Sequence, residues 1–232
     1  MDAPEPGGPR RPGRFDFHSH TYLTDGESSA TEMWHYAALL GHRVLAVTDH
    51  IGPEDPGPLL ARLREEALAV PEGSVVPIIG VEITYVDPPH IAGVVRAARR
   101  AGAEIVIVHG ETLAEQVPPG TNRAALETGE VDILAHPGLL TREEAELARA
   151  HGTILELSAR RGHSFTNGRV ARRAIEAGAA MVLDSDAHST SQLVPWDAAR
   201  RLALGAGLEE EQVVEVLDAA PRAFLKRLGR PI

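Results

Sequence analysis

The chain contains no cysteine among its 232 residues. Disulfides and thiolate metal sites are therefore excluded, and any metal ion must be held by nitrogen and oxygen ligands. Aromatic residues make up only 4% of the sequence, so Ala, Val, Leu and Ile must build the core. No apolar run reaches the length that spans a membrane, and the N-terminus does not have the pattern of a signal peptide. We therefore expect a cytoplasmic protein without membrane contact.

Positive charge is in short supply: 23 basic residues stand against 33 acidic ones, a formal net charge of −10. Such a surface repels long nucleic acids, whose non-specific binding depends on neutralising phosphates. The length suits one α/β domain. Residues 1–14 are rich in Pro, Gly and Arg without periodicity, so we predict a disordered tail there and a single domain over residues 15–232.

Short apolar runs alternate with amphipathic segments along the chain, which predicts parallel strands joined by helical crossovers. The predicted strands are Phe15–His20, Val44–His50, Val75–Val86, Glu104–Gly110, Ile133–Gly138, Thr153–Ala159 and Met181–His188. The predicted helices are Ala30–Leu40, Leu59–Val70, Ile91–Ala101, Arg142–His151, Arg169–Ala177, Pro195–Leu204 and Glu209–Ala220, the last stopped by Pro221. An open doubly wound sheet fits the same alternation.

Polar residues stand at the C-terminal end of almost every predicted strand. In an open sheet they would concentrate beside one crevice, whereas barrel active sites draw on all strand ends, so we predict a β/α barrel. These residues are His18, His20, Asp49, His50, Glu82, His109, His136, Asp186 and His188. Because side chains alternate across a strand, His18 and His20 share one face, as do Asp186 and His188.

A single histidine at a strand end is usually a hydrogen-bonded structural residue. Six of them converging with carboxylates would leave many buried polar groups unpaired, each costing about 1–3 kcal/mol, and bound metal ions remove that cost. So many candidate ligands exceed the needs of one ion and suit two or three. A carboxylate such as Glu82 can bridge two ions. Imidazole with carboxylate suits Zn, Mn or Fe equally well.

The same stretches resemble the PHP (polymerase and histidinol phosphatase) superfamily. They are His18-Ser19-His20-Thr21 with Asp25-Gly26, Thr48-Asp49-His50, Gly80-Val81-Glu82, His109-Gly110, Ala135-His136-Pro137 and Ser185-Asp186-Ala187-His188. They run in the family's order from residue 18 to residue 188, and the chain looks most like a short histidinol-phosphatase-domain protein of archaea and some bacteria. The resemblance implies a distorted seven-stranded β/α barrel, TIM-like, with a trinuclear metal site.

The resemblance also implies how the ligands divide. His18, His20, Glu82 and Asp186 would hold a first ion, and Glu82 would bridge to a second that His109 and His136 hold. Asp25, His50 and His188 would hold a third. Asp49 is expected to orient a histidine rather than to bind metal. Catalysis is predicted to depend on Glu82, Asp186 and His188.

The sixth predicted strand brings no ligand in this scheme and runs into Arg160-Arg161-Gly162-His163. Neighbouring arginines are often a solvated charge cluster. At a barrel rim, however, Arg160 would bind phosphate oxygens through bidentate hydrogen bonds from its guanidinium. His163 could donate to a phosphate or protonate a leaving group. The loop from Glu111 to Gly120 is either a lid or a connection.

These expectations combine into a metal-dependent phosphoesterase that hydrolyses a small phosphomonoester, similar to histidinol phosphate, with a metal-activated hydroxide and two to three divalent ions. A phosphodiesterase or nuclease acting on nucleotides or short oligonucleotides is the alternative within catalysis. A non-catalytic, metal-stabilised subunit of a larger assembly is the alternative of another class, against which the intact ligand set argues.

Overall fold

The fold comes from a computed structural model, which describes residues 13–230 and residue 232. All strand pairs in this part of the chain are parallel, and helices connect them on the outside. The strands are β1 (Arg14–Asp16), β2 (His42–Val47), β3 (His50–Ile51), β4 (Val76–Ile83), β5 (Ile105–His109), β6 (Ile133–Ala135), β7 (Ile154–Ser158) and β8 (Met181–Asp184). The sheet order is β1-β2-β4-β5-β6-β7-β8, with β3 a short continuation that pairs with β4.

The helices of the described residues follow the strands in alternation until the chain ends in a helical segment. They are α1 (Ala30–Leu39), α2 (Gly57–Ala67), α3 (Ile91–Arg100), α4 (Thr121–Glu127), α5 (Arg142–His151), α6 (Asn167–Ala177), α7 (Trp196–Gly205), α8 (Glu210–Val214) and α9 (Ala220–Arg227). Every predicted strand and helix is found, whereas α4 was missed. None of the helices in residues 13–230 is long and apolar enough to cross a bilayer.

The sheet closes into a distorted seven-stranded barrel, which confirms the predicted fold. Its last seam joins β1 to β8 through side chains. The carboxylate of Asp184 accepts from the backbone N–H of Phe17 at 2.8 Å, and that of Asp16 accepts from Ser185 at 3.0 Å. Beyond them, the backbone N–H of Asp186 donates to the carbonyl of His18 at 3.0 Å. The seam thus fixes the backbone on both sides of the predicted ligands.

Strand alternation sorts the apolar residues into two cores. One set packs between strands and outer helices, and the other fills the barrel interior. Ile105 and Ile107 of β5 point inward, whereas Val106 and Val108 point to the helices. Phe224 of α9 closes the interior at the N-terminal end of the strands, with its ring centroid 5.0 Å from that of Phe17. The polar residues lie at the opposite end of the barrel, where the strands end.

Two predicted boundaries were wrong. Arg14 was placed in the tail, but it is buried in β1 and donates to the carbonyl of Leu183 at 2.6 Å. Residues 1–12 of the predicted tail lie outside the described residues. Pro221 was expected to stop the final helix. It lies instead in the first turn of α9, because the π-helical segment Glu215–Ala219 precedes it and a first-turn proline needs no backbone N–H.

Candidate metal centre

The predicted ligands meet at the C-terminal end of the barrel, and Glu82 of β4 lies at their centre. Its Oε2 is 3.3 Å from Nε2 of His18 and 3.0 Å from Nδ1 of His50. Its Oε1 faces the other way and lies 3.6 Å from Nε2 of His136. Both oxygens are buried and have no hydrogen-bond partner among the residues that the structure describes. A carboxylate that turns its two oxygens toward separate groups of histidines has the disposition of a bridging ligand.

The first group lies at the β1–β8 seam. His18 and His20 bring their Nε2 atoms within 3.0 Å of each other, and Nε2 of His20 is 3.4 Å from Oδ1 of Asp186. These atoms belong to side chains that are buried. His18 and His20 therefore point to the same place, as strand alternation indicated.

The remaining predicted ligands form groups on either side of Glu82. On one side, Oδ2 of Asp25 is 3.4 Å from Nε2 of His50 and 3.1 Å from Nε2 of His188. On the other, the ring centroids of His109 and His136 are 4.5 Å apart. Potential ligand atoms in these groups lie within 4.8 Å of one another, and His163 joins His109 and His136 in theirs.

Hydrogen bonds at Nδ1 orient several of the imidazoles and leave Nε2 facing other ionisable groups of the site. Nδ1 of His18 bonds to Glu156 at 2.7 Å, that of His50 to Thr84 at 2.7 Å, and that of His109 to the carbonyl of Gly110 at 3.1 Å. Metal-ligating histidines characteristically use one ring nitrogen in this way and leave the other for the ion.

Two of the candidate ligands have backbone torsions that residues other than glycine rarely adopt. His136 has φ of 28° and Asp186 has φ of 51°. Along β6 the interior positions are Ile133 and Ala135, so ordinary alternation would point His136 toward the helices. The left-handed backbone instead brings it into the centre, and strain of this kind is concentrated at functional sites.

Burial and the crowding of carboxylates shift the pKa values of several groups in this cluster. Burial, with the nearby Glu82 and Glu156 carboxylates and against the attraction of His18, raises the pKa of Asp186 to about 7. Burial opposes protonation of His50, but Glu82 and Asp25 outweigh it and raise the pKa of that imidazole to about 10. Within residues 13–230, the buried Nδ1 atoms of His20 and His136 have no hydrogen-bond partner. The residues present fit a cluster of cations, which would offset the crowded carboxylates and use the free ring nitrogens.

Glu156 of β7 is a site residue that the sequence analysis missed, because that strand was expected to contribute only the residues that follow its end. Its Oε1 bonds to Nδ1 of His18, and its Oε2 accepts from the backbone N–H of His136 at 2.8 Å. One carboxylate thus orients two candidate ligands. A signal was present, because Glu156 is two residues after the interior residue Ile154 in an otherwise apolar strand.

We expect Glu156→Gln to lower the affinity for the bound ions by about ten- to a hundredfold, the usual effect of removing an outer partner of metal-ligating histidines. The barrel should remain folded, because glutamine has nearly the same shape. Competition with a chromogenic chelator would measure the affinity. Unchanged affinity would show that Glu156 only fills space beneath the site.

Asp49 does not have the predicted role. It accepts hydrogen bonds from the backbone N–H of Thr21 at 2.6 Å, the hydroxyl of Thr21 at 2.7 Å and the hydroxyl of Thr24 at 2.8 Å, and from no histidine among the described residues. Its buried carboxylate therefore fixes the loop that carries Asp25. The physical reason is its position after β2, which points it at the β1 loop.

The side chains predicted to contact substrate share one cavity with the metal centre. Arg160 is 29% exposed, donates to the carbonyl of Asp186 at 3.2 Å and contacts Nδ1 of His188. His163 is buried; burial and then the neighbouring His109 lower its pKa to about 4, so it is neutral near pH 7. A cavity of about 510 Å³ lies beside the metal centre, and its lining includes Asp25, Glu82, Arg160 and His163. Its size suits a small ligand.

Comparison with known proteins gives full-length relatives of two kinds. No family model matches the chain. An uncharacterised protein of Methanocaldococcus jannaschii is 38% identical and covers 93% of this chain and 100% of its own length. Ribonuclease P protein component 3 of Methanosarcina barkeri is 27% identical (95% and 92% covered), and a probable phosphatase of Caldanaerobacter subterraneus subsp. tengcongensis is 27% identical (92% and 93% covered).

Solved structures agree on the fold. Histidinol phosphate phosphatase of Lactococcus lactis, in complex with zinc, L-histidinol and phosphate, has a TM-score of 0.61 at 16% identity, covering 84% of this chain and 94% of that one. A chain of archaeal ribonuclease P with mature tRNA has a TM-score of 0.66 at 18% identity, with 93% and 89% covered. The chain belongs to the PHP superfamily. The family resemblance seen in the sequence motifs is confirmed, and the relatives of this PHP protein include proteins named probable phosphatase and proteins named ribonuclease P protein component 3.

Proposed function

We propose that this PHP protein is a metal-dependent phosphoesterase that hydrolyses a small phosphomonoester. One observation carries the proposal: a complete set of nine candidate ligands converges on a cavity that an arginine also lines. The ligands are His18, His20, Asp25, His50, Glu82, His109, His136, Asp186 and His188. The names of the probable phosphatases and the likeness to histidinol phosphate phosphatase support the same chemistry.

Two or three divalent ions, of Zn, Mn or Fe, would be held in this set, with Glu82 between two of them. When bound, such ions would lower the pKa of bound water to near neutrality and offset negative charge on phosphate oxygens. The protein's own contribution is to fix the ligands through Glu156 and the β1–β8 seam, and to present Arg160. Its guanidinium is tied at Nη1 to the Asp186 carbonyl, which leaves further N–H groups directed at the cavity.

A second candidate function has a specific observation in its favour. Relatives named ribonuclease P protein component 3 align with nearly the whole chain, so this barrel could be a subunit of an RNA-processing assembly. The net charge of −10 opposes RNA binding by the barrel alone. The converging ligand set also favours a catalytic role.

The deciding experiment is an assay of purified protein against phosphate monoesters, including histidinol phosphate, phosphodiesters and short oligonucleotides, each with Mn, Zn and Fe. Metal-dependent turnover of monoesters above diesters is expected. Turnover of oligonucleotides alone would favour the nuclease alternative, and no turnover with any metal would favour the subunit.

Arg160→Ala is expected to lower kcat/KM for a monoester by about ten- to a hundredfold, because a charge-assisted hydrogen bond to phosphate contributes about 1.5–3 kcal/mol. The loss should be larger for a dianionic monoester than for a monoanionic diester. Arg160→Lys should recover part of it, since lysine keeps the charge without the planar fork.

The exposed neighbour Arg161 provides the matched control, and Arg161→Ala should have a much smaller effect. Metal content should be unchanged in each variant. Equal losses for monoesters and diesters, or none, would remove Arg160 from phosphate recognition.

A further inference from the structure

We propose that Glu115 and His163 complete the second metal position beside His109 and His136, so that metal binding fastens the loop of residues 110–120 over the cavity. Neither residue belongs to the ligand set implied by the sequence motifs. The inference rests on the metal binding of the proposed function and is independent of which phosphate ester is hydrolysed.

His163 has the arrangement of a ligand. Its Nδ1 bonds to the hydroxyl of Thr112 at 2.8 Å and its Nε2 faces Glu115, just as the ring of His18 bonds at Nδ1 to Glu156 and turns Nε2 toward Glu82. Its ring stacks on that of His136, with centroids 4.1 Å apart. Its imidazole is buried, as are those of His109 and His136.

Glu115 reaches the same place from the tip of the loop. Its Oε2 is 3.3 Å from Nε2 of His109, and its Oε1 is 3.4 Å from Nε2 of His163. Both separations exceed the usual N–H···O hydrogen bond of about 2.9–3.0 Å. Ligand atoms held about 2.1 Å from a tetrahedral ion lie about 3.4 Å from each other. The carboxylate and the imidazoles are therefore spaced as ligands of a shared ion.

The loop is built to hold its ends and leave its tip free. Oε1 of Glu111 accepts from the backbone N–H groups of Gly120 and Asn122, both at 3.0 Å, and so ties the ends together. Gly138 underlies the loop with φ of 63°, and a Cβ there would lie 1.8 Å from the carbonyl oxygen of Glu111. Residues 113–116 of the tip are exposed, and Glu115 reaches from them to the histidines.

The loop is therefore attached at two points, and only the attachment at its tip depends on a bound metal ion. The base is held by the Glu111 side chain whether or not an ion is bound. The tip is held by Glu115, whose carboxylate is stabilised by cations at the centre. Because Glu115 and Gln116 also line the cavity, an ion at this position would order one wall of the substrate site.

Zinc binding and amide hydrogen exchange of the whole chain test the inference together. In the wild-type protein, zinc should slow exchange of the amides of residues 112–117 by about tenfold or more relative to the metal-free protein. In Glu115→Gln and in His163→Asn, one class of zinc sites should weaken by at least about tenfold, and zinc should no longer slow exchange in the loop.

Matched controls remove the same charge or imidazole elsewhere. Glu127→Gln changes an exposed carboxylate of α4 that pairs with Arg123, and His151→Asn changes an exposed histidine of α5. Both should bind zinc as the wild type does. Wild-type zinc affinity in Glu115→Gln, with the loop still slowed by zinc, would overturn the inference while leaving the metal centre intact. Failure of the wild-type protein to bind zinc, manganese or iron would overturn the proposed function itself and the inference with it.

Discussion

Glu82→Gln is expected to lower kcat for the phosphate ester by about 10³-fold or more while the barrel stays folded. The amide keeps the shape of the carboxylate but loses the charge and one acceptor oxygen. Both oxygens of Glu82 face imidazoles, and neither has a hydrogen-bond partner in the described part of the chain. Glutamine would therefore place an N–H donor against one of the two ligand groups and remove the negative charge that both groups share.

Steady-state kinetics and elemental analysis should be measured on the same preparation, because the loss is expected in both turnover and metal content. Glu66→Gln is the matched control. Glu66 is also a buried carboxylate, but it bonds to Arg62 and to the backbone N–H of Thr31, away from the centre. That variant should lose stability without losing activity. Near-normal turnover in Glu82→Gln would show that this residue is not at the catalytic centre.

Removal of the metal is expected to abolish activity and to lower the melting temperature. The purified protein should carry two to three transition-metal equivalents, and chelation should leave the buried histidines and carboxylates without their counter-charges. A ligand present at about 100 times its Kd stabilises a fold by about 2.7 kcal/mol. For a domain of this size that corresponds to a shift in Tm of about 5–10 °C.

Thermal unfolding monitored by circular dichroism, before and after chelation and again after adding Mn or Zn, would measure the change. Activity and Tm should recover together. Fully active protein with one ion or none per chain would rule out the multinuclear centre. Loss of activity with an unchanged Tm would mean that the ions bind too weakly to stabilise the native state.

Much of the fold could be predicted from the sequence because its signals are local. The apolar runs and the amphipathic segments between them each depend on neighbouring residues. α4 was missed because Thr121–Glu127 is only seven residues long and follows a Pro/Gly-containing loop. Pro221 was misjudged because the π-helical segment before it cannot be recognised from composition.

The site residues also fall into those that the sequence could predict and those that it could not. Histidine pairs and carboxylates at strand ends could be found because parallel strands bring those ends together. The hydrogen bonds from Thr21 and Thr24 to Asp49 could not be predicted, because they depend on the path of the loop that follows β1. Glu115 could not be found either, because its distance from His109 and His163 depends on the path of a loop rather than on any periodicity.

The seam between β1 and β8 has a consequence for synthesis of the protein. Phe17 and His18 leave the ribosome well before β8, because Asp186 and the carboxylate of Asp184 that holds Phe17 follow more than 160 residues later. A nascent chain folds from its N-terminus, but it cannot close the barrel until β8 has emerged. The cluster of candidate ligands therefore cannot be assembled on an unfinished chain, and a truncated product that ends before β8 would lack both the closure and the candidate ligands Asp186 and His188.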